Sequence, residues 1–429
     1  MIASLRARFN QSFAPGNYAS LLDALQRSSG VRTEFRVAET PVFLSLTLLN
    51  SMAEAGVELT RRLIGDREYL AAAGQAIPAG YSVGAVTAHP NFLTADFALV
   101  RTAKGDLEPR LVEIQAFPSV YGFQAVLCDA YRQAFGLPSS LGCFLGGLDE
   151  EGYWKLLAKT ILGNCDPQEV VLTEIDPLRQ KTRPDFEITA RRLGLAVRDI
   201  STLSAEGNRL SYAAADGSRV AIRRIYNRAI ADELMARNVR LPFELSQEWE
   251  VEWAGHPNWY FLISKFSIPW LSRPPDPHPV VPPAVFLDEF LDGPGRAQLE
   301  MQGVPVAQCT GPETVYSELL LKPLFSFAGK GIHFNPTQSE LESIPGAQRR
   351  EFLLQQKMRF AHTVETPFGP TQPEFRILYL WPEGGDLTPA LSLVRLGRGQ
   401  MMGVDYNKNQ EWVGASAAFY PGEGEPPEP

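Results

Sequence analysis

Three side chains in the first third of the chain are of the types that hold a hard cation. Asp96 stands in the apolar run LTADFALV (93–100), and Glu113 and Gln115 stand two apart in RLVEIQ (110–115). In a strand, side chains at i and i+2 share a face, so strict alternation points Val112 and Ile114 one way and Glu113 and Gln115 the other. The intervening RTAKGDLEPR carries the Gly, Asp and Pro of a connecting turn. Folding the two runs back about Gly105 and Asp106 brings Asp96 opposite the Glu113 and Gln115 region. Two carboxylates and an amide oxygen on one patch are ligands suited to magnesium. Taken alone, E-x-Q also fits the wet face of an antiparallel strand.

A second group of residues suits phosphate. In ELLLKPLFSFAGKGIHF (318–334) a strand carries Lys322, stops at Pro323, and enters a loop with Gly329 and Gly331. Glycines let backbone N–H groups turn toward an anion, and the lysine adds positive charge. This is not a P-loop, because Leu324 stands where the first glycine is needed and Gly331 where Ser or Thr is needed. A glycine hairpin with an incidental lysine is the alternative. Downstream, EFLLQQKM (351–358) is an apolar strand breaking into polar residues, PEFRILYLW sets Glu374 and Arg376 on one strand face, and LSLVRLGRGQMMG brings Arg395 and Arg398 near glycines.

These residues need elements to hold them. Residues 1 to about 85 read as mostly helical, with apolar residues at helical spacing over 41–64. A helix is expected over 125–136, ending at Gly136. EVVLTEI, PLRQKTRPDFEITARRLG and LAVRDI then form a strand, helix, strand unit of parallel type. RVAIRRIYNRAIADEL (219–234) adds a strand running into a helix. Its Arg224, Asn227 and Arg228 are expected at the strand's C-terminal end, where open α/β sheets present groups to a substrate. A dinucleotide site is disfavoured, since no G-x-G-x-x-G follows either strand. The proline-dense SRPPDPHPVVPP (272–283) is expected to be loop, and the acidic tail GEGEPPEP (422–429) to lack regular structure.

With 429 residues, 45% apolar and 21% charged, the chain is long enough for two or three domains with sizeable cores. A net charge of −9 without a long basic run argues against nucleic acid or an anionic membrane as partner. No apolar h-region and no window of 18 apolar residues occurs, so a soluble cytoplasmic protein is expected. Cys128, Cys143, Cys165 and Cys309 show no C-x-x-C pair, and the five histidines show no zinc-site spacing. No G-x-S-x-G supports a serine hydrolase.

The order Lys265 in YFLISKF, Lys322 in LLLKPL, the loop FSFAGKG, then LLQQKM, E-x-R and R-x-G resembles the ATP-grasp superfamily, which clamps ATP between two α+β subdomains. The metal-binding strand pair of that family ordinarily closes the chain. Here its counterpart comes first, as in eukaryotic glutathione synthetases and glutathionylspermidine synthetases, which are similarly permuted. The resemblance implies an α+β protein with an α/β pre-ATP-grasp domain and a circularly permuted ATP-grasp fold. Its parts would be an N-terminal helical region with the permuted strand pair (1–164), a pre-ATP-grasp substrate domain (165–250) and the nucleotide-binding subdomains (251–429). By the same resemblance Lys265 and Lys322 contact the nucleotide phosphates, and a loop with Ser326, Gly329, Lys330 and Gly331 closes over them. Gln356, Lys357 and Met358 form the adenine hinge, and Asp96, Glu113 and Gln115 hold Mg2+. Arg395, Lys322 and Arg376 would be catalytic, with Arg224, Asn227 and Arg228 binding substrate. Gln115 departs from the family's Asn, and the loop after Lys-Pro lacks the acidic metal ligand of the glutathione synthetase type. The activity implied is an ADP-forming carboxylate–amine ligase that works through an acyl phosphate on a small-molecule carboxylate and an amine. The alternatives are a nucleotide-holding module without turnover, and an enzyme that phosphorylates a carboxylate or guanidino group without an amine acceptor.

Overall fold

Apolar spacing of 3.6 over residues 41–64 and strand-like apolar runs from residue 92 mark where helix gives way to sheet. The computed structural model describes residues 1–306, 311–325, 331–403, 407 and 409–422. Along the chain come α1 (Ala3–Ser12), α2 (Pro15–Ser29), β1 (Val42–Phe43), α3 (Leu46–Gly65) and α4 (Arg67–Gly74). Strands β2 (Phe92–Arg101) and β3 (Leu107–Gln115) follow, then α5 (Tyr121–Phe135), β4 (Leu141–Gly142) and α6 (Glu150–Leu162). The middle of the chain gives β5 (Val170–Glu174), α7 (Arg183–Leu193), β6 (Ala196–Asp199), the short β7 (Ser204–Glu206), β8 (Arg209–Ala213) and β9 (Arg219–Ala221), then β10 (Arg224–Asn227), α8 (Ala231–Ala236) and β11 (Glu252–Ala254). The last strands are β12 (Ala284–Phe286), β13 (Leu319–Pro323), β14 (His333–Phe334), β15 (Phe352–Gln356), β16 (Gln372–Leu380), β17 (Thr388–Gly397) and β18 (Gly414–Pro421).

Among the described residues there are four sheets, and the protein is α+β. The largest has seven strands in the order β1-β18-β17-β16-β2-β3, with β4 on β18. It joins the early pair β2–β3 to strands that follow both lysines. A parallel sheet, β11-β10-β5-β6, contains the expected strand, helix, strand unit. The antiparallel sheet β12-β15-β13-β14 carries Lys322, and β7-β8-β9 forms a small ribbon. Among the described residues no helix is long and apolar enough to cross a membrane.

The seven-stranded sheet separates two cores. Leu93, Ala95, Phe97 and Leu99 of β2, with Phe375, Ile377 and Tyr379 of β16, belong to the core that also holds α3 and α4. Phe92, Leu378, Leu380, Leu391 and Leu393 belong to the other, with α5. By alternation Asp96, Glu374, Arg376 and Arg395 project on that second side. Helix α3 starts five residues later than periodicity suggests. Val42 and Phe43 pair with β18, and the Ser45 hydroxyl caps the helix by accepting from Leu48 N at 3.3 Å. Gly56 lets this helix approach the sheet, since a Cβ there would lie 2.0 Å from the Tyr379 hydroxyl.

One residue in β3 departs from strict alternation. Asp96 pairs with Glu113 but Phe97 pairs with Leu111, so Val112 is the extra residue of a bulge. The bulge lets Leu111 and Ile114, three apart, enter the same core, while Glu113 stays on the opposite face beside Asp96. As an edge strand β3 still has N–H groups to satisfy, and the loop after residue 262 covers it. Ala116 N donates to Ile263 O at 3.0 Å and Leu111 N to Val280 O at 2.7 Å. Lys265 is thereby held against the carboxylate end of β3.

Candidate functional site

Asp96 is the hub of a charged cluster. Its carboxylate accepts two parallel bonds from Arg376, Nε to Oδ1 at 2.6 Å and Nη2 to Oδ2 at 2.7 Å, and a further bond from Arg395 Nη2. The registers dictate this, because Arg376 pairs directly with Asp96 across β16–β2, and Arg395 with Glu374 across β17–β16. Arg395 Nη2 also lies 2.5 Å from Glu374 Oε1. Beyond Asp96, Arg376 reaches Ser119 Oγ at 3.3 Å and Glu113 Oε1 at 3.5 Å.

Two lysines arrive from outside this sheet. Lys265 Nζ lies 3.5 Å from Glu113 Oε2. Lys322, at the end of β13, donates to the Val112 carbonyl at 3.3 Å, the backbone oxygen of the bulge. The ends of that bond are 210 residues apart in sequence. Burial works to raise the Glu113 carboxyl, but Lys265, then Arg376, Arg395 and Lys322, outweigh it and hold it down at about 2. Burial lowers the Lys322 ammonium to about 8 against the pull of Glu113. Burial also pushes the Glu374 carboxyl up to about 7, with Arg395 opposing the rise and Asp96 and Glu113 adding to it. Four cationic side chains thus face the carboxyls of Asp96, Glu113 and Glu374, with Asp232 also within electrostatic reach of Lys265. The balance suits a polyanion.

The magnesium assignment needs correction at Asp96. Both of its oxygens are engaged by guanidinium groups and the residue is fully buried, so it is a structural counter-ion and no free ligand. Among the described residues no cluster of His, Cys, Asp and Glu is arranged to hold a metal. Glu113 and Gln115 lie beyond the bulge, where alternation is regular. They share a face, and the two Glu113 oxygens meet Lys265 and Arg376 at 3.5 Å each.

Of the middle trio, Asn227 closes β10 and Arg228 follows it, at the expected C-terminal end, and Arg224 alone is placed differently. Arg224 stands at the N-terminal end of β10, in register with Val170 and Glu252 at the starts of their strands. It is buried among the last carbonyls of α6, donating to Ile161 O at 2.9 Å and Thr160 O at 3.2 Å, and pairs with Glu252 at 2.6 Å and Glu383 at 2.8 Å. A guanidinium at a helix C-terminus favours the local dipole and needs no ligand. The Asn227 side chain accepts from Ala229 N at 3.2 Å. Arg228 lies between the rings of Phe117 and Phe186 and donates to Pro118 O, next to the Ser119 that meets Arg376. The guanidinium groups of Arg224 and Arg228 are thus engaged within the chain. A cavity of about 390 Å³, lined by Arg224, Trp249, Trp253 and Glu383 among others, lies at the N-terminal edge of the parallel sheet and not at the charged cluster.

At the expected hinge, Gln356 N donates to Pro283 O and Lys357 N to Glu318 O, both at 2.8 Å, while the Lys357 ammonium is committed to Asn335 Oδ1 at 2.6 Å. Gly331 has φ +74°, a conformation that favours glycine. Ser326, Gly329, Lys330 and Cys309, and residues 423–429 of the tail, lie outside the described residues. Glu374 takes its place in the cluster through its pairing with Arg395, and E-x-R on one strand face is the sequence signal for it. Asp232 and Tyr260 carry no such signal: the Tyr260 hydroxyl donates to Asp232 Oδ2 at 2.7 Å, and Asp232 lies within electrostatic reach of Lys265.

No protein-family model and no curated protein matches this sequence. Among solved structures, it is similar to a glutathione synthetase-like effector (GSS30) from Globodera pallida in its apo form, with 12% identity and a TM-score of 0.52 over 96% of this chain and 98% of that one. A protein from Methylobacillus flagellatus KT, provisionally assigned as a gamma-glutamylcysteine synthetase, matches at 14% identity and TM-score 0.39 over 84% and 85% of the two chains. The full-length likeness to the effector is one of fold, which the two chains share.

Proposed function

We propose that this chain is an ADP-forming, ATP-dependent carboxylate–amine ligase on a circularly permuted ATP-grasp framework. The observation that carries the reading is the meeting of Lys322, from the four-stranded antiparallel sheet, and Lys265, from the loop after residue 262, at the Val112–Glu113 end of β3. Charge arrives there from three separate parts of the chain, a pattern suited to gripping a polyphosphate. The pairing of β2 with β16 supports the permutation, because it inserts an early strand pair beside strands that follow both lysines.

A carboxylate cannot be displaced while oxide is its leaving group. ATP would convert it to an acyl phosphate, and an amine would then displace phosphate. Lys265, Lys322 and Arg395 would neutralise charge developing on the transferred group, a matter of fixed positive groups and positioning. Arg376 is held rigid by Asp96 and supplies field from behind. Glu113 and Gln115 would hold magnesium, which shields the phosphates when bound.

The test is turnover with a panel of small acids and amines. The ligase reading requires ADP and phosphate in equal amounts together with an amide product. Lys322→Ala should lower the rate by about 10² to 10³. Turnover that survives the change removes Lys322 from the mechanism. A nucleotide-holding module is the second reading, favoured by the complete neutralisation of Asp96. It gives binding of MgATP without product.

A further inference from the structure

The cavity of about 390 Å³ opens where the edge strand β11, the C-terminal end of α6, the segment 83–87 and Glu383 meet. Its volume falls within the range of about 300–1,000 Å³ that small-molecule sites occupy. Arg224 stands in its wall, while Arg228 lies beside the segment that meets Arg376, and β10 separates the two ends by roughly 10 Å. Its lining includes none of the charged residues of the Asp96 cluster.

Negative charge reaches this cavity from two independent sources. The first is side chains: the carboxylates of Glu248, Glu252 and Glu383 outnumber the cations of Arg224 and Lys159. Arg224, only 2% exposed, is already committed to the last carbonyls of α6 and to one oxygen each of Glu252 and Glu383, at 2.6 and 2.8 Å. Those two carboxylates are 59% and 44% exposed, and each retains a second oxygen for another donor. Burial acts to raise the Glu383 carboxyl, but Arg224 outweighs it and keeps the group ionised. His256 adds no positive charge, because burial lowers its imidazolium and its Nε2 is bonded to Gly84 O at 3.0 Å. The second source is α6, which turns the negative pole of a 13-residue helix toward the cavity. Gly163 caps that helix, and a Cβ there would lie 3.1 Å from Arg224 Nη1, so the glycine keeps the approach to the buried pair open.

Apolar surface accompanies the charge. Trp249 is held in place, since its Nε1 donates to Glu244 O at 2.8 Å and its ring meets Phe243 edge-on at 5.5 Å. Trp253 and Val251 line the same cavity. An indole both attracts a cation to its face and buries hydrocarbon. We propose that this cavity is a binding site for an organic cation, a protonated amine on an aromatic or aliphatic body, whose ammonium donates to Glu248, Glu252 and Glu383 while the body packs against Trp249. It is not the amine consumed in ligation, which must reach an acyl phosphate at the charged cluster. The site therefore stands or falls independently of the ATP reading.

The experiment measures calorimetric binding of phenethylamine, its neutral analogue phenethyl alcohol and its acid analogue hydrocinnamate, with tryptophan fluorescence followed alongside. The amine should bind with a Kd on the order of 1 mM or tighter, and the alcohol and the acid several-fold more weakly. Added salt should weaken the amine. Glu248→Gln, an exposed change that keeps the shape of the side chain, should weaken the amine by roughly 2- to 5-fold, the scale of one exposed charge contact. Trp249→Leu should weaken it by a similar factor and remove most of the fluorescence change. Neither variant should alter binding of inorganic tripolyphosphate, which reads the charged cluster. No amine binding at about 10 mM, or equal binding of amine and alcohol, overturns the proposal. Unchanged amine affinity in both variants places the ligand elsewhere and overturns it too. If Trp249→Leu fails to fold, Glu248→Gln and the three ligands still decide.

Discussion

Asp96→Asn separates the two roles available to this carboxylate. As a metal ligand, Asp96 would lose little in metal-free protein when changed to its isosteric amide. As a counter-ion it would lose a great deal. The carboxylate is buried and takes two bonds from Arg376 and one from Arg395. An asparagine at best keeps one acceptor oxygen and turns its amide donors toward guanidinium donors. Arg395 would retain Glu374 at 2.5 Å, and Arg376 only the longer contacts to Glu113 and Ser119. Breaking a buried pair from one side costs about 3–5 kcal/mol, because the remaining charge stays buried without compensation. Chemical denaturation in the presence of a chelator should show a loss of that size. Tripolyphosphate should then stabilise the variant more than wild type, by neutralising the released guanidinium groups. A loss below about 1 kcal/mol, the scale of an exposed ion pair, would refute the counter-ion argument.

Other consequences follow from burial elsewhere. Burial raises the Glu174 carboxyl to about 8 although Arg228 opposes it, whereas an unfolded glutamate titrates near ~4.3. The folded state therefore holds the proton more tightly, and this contribution to stability is present below about pH 4.3 and lost as pH rises toward 8. Glu174→Gln should flatten the fall in denaturation midpoint between those limits, and an unchanged difference between wild type and variant across the range would contradict the shift. Gly56→Ala should cost roughly 1–3 kcal/mol by overpacking against the Tyr379 hydroxyl, which donates to Ala53 O at 3.0 Å. A melt indistinguishable from wild type would mean that α3 can move off the sheet at no cost.

The pattern of the large sheet was legible because its charged residues interrupt apolar strands at i and i+2. D-F-A-L, E-x-Q and E-x-R each announce a strand with one polar end, and the turn residues at Gly105 and Asp106 placed the first two against each other. The bulge was not legible. Val112 is an ordinary strand residue, and only the demand that Leu111 and Ile114 both reach the core reveals it. Strand β18, with its run of small residues, carries no alternation of its own and is defined by its partners β17 and β1. The helix boundary at Ser45 was missed for a related reason, since Val42 and Phe43 suit either element and a distant strand decides between them.

For the site, local pattern found the residues and distant partners decided what each one does. Arg224 reads as a ligand-facing cation until Glu383, 159 residues away, and the end of α6 are seen to use its donors. Asp96 reads as a metal ligand until two strands from the far end of the chain bring their arginines to it. In both cases the charge was correctly located and its partner was not, because the energy of a buried charge is set by what lies within about 4 Å, whatever the sequence distance.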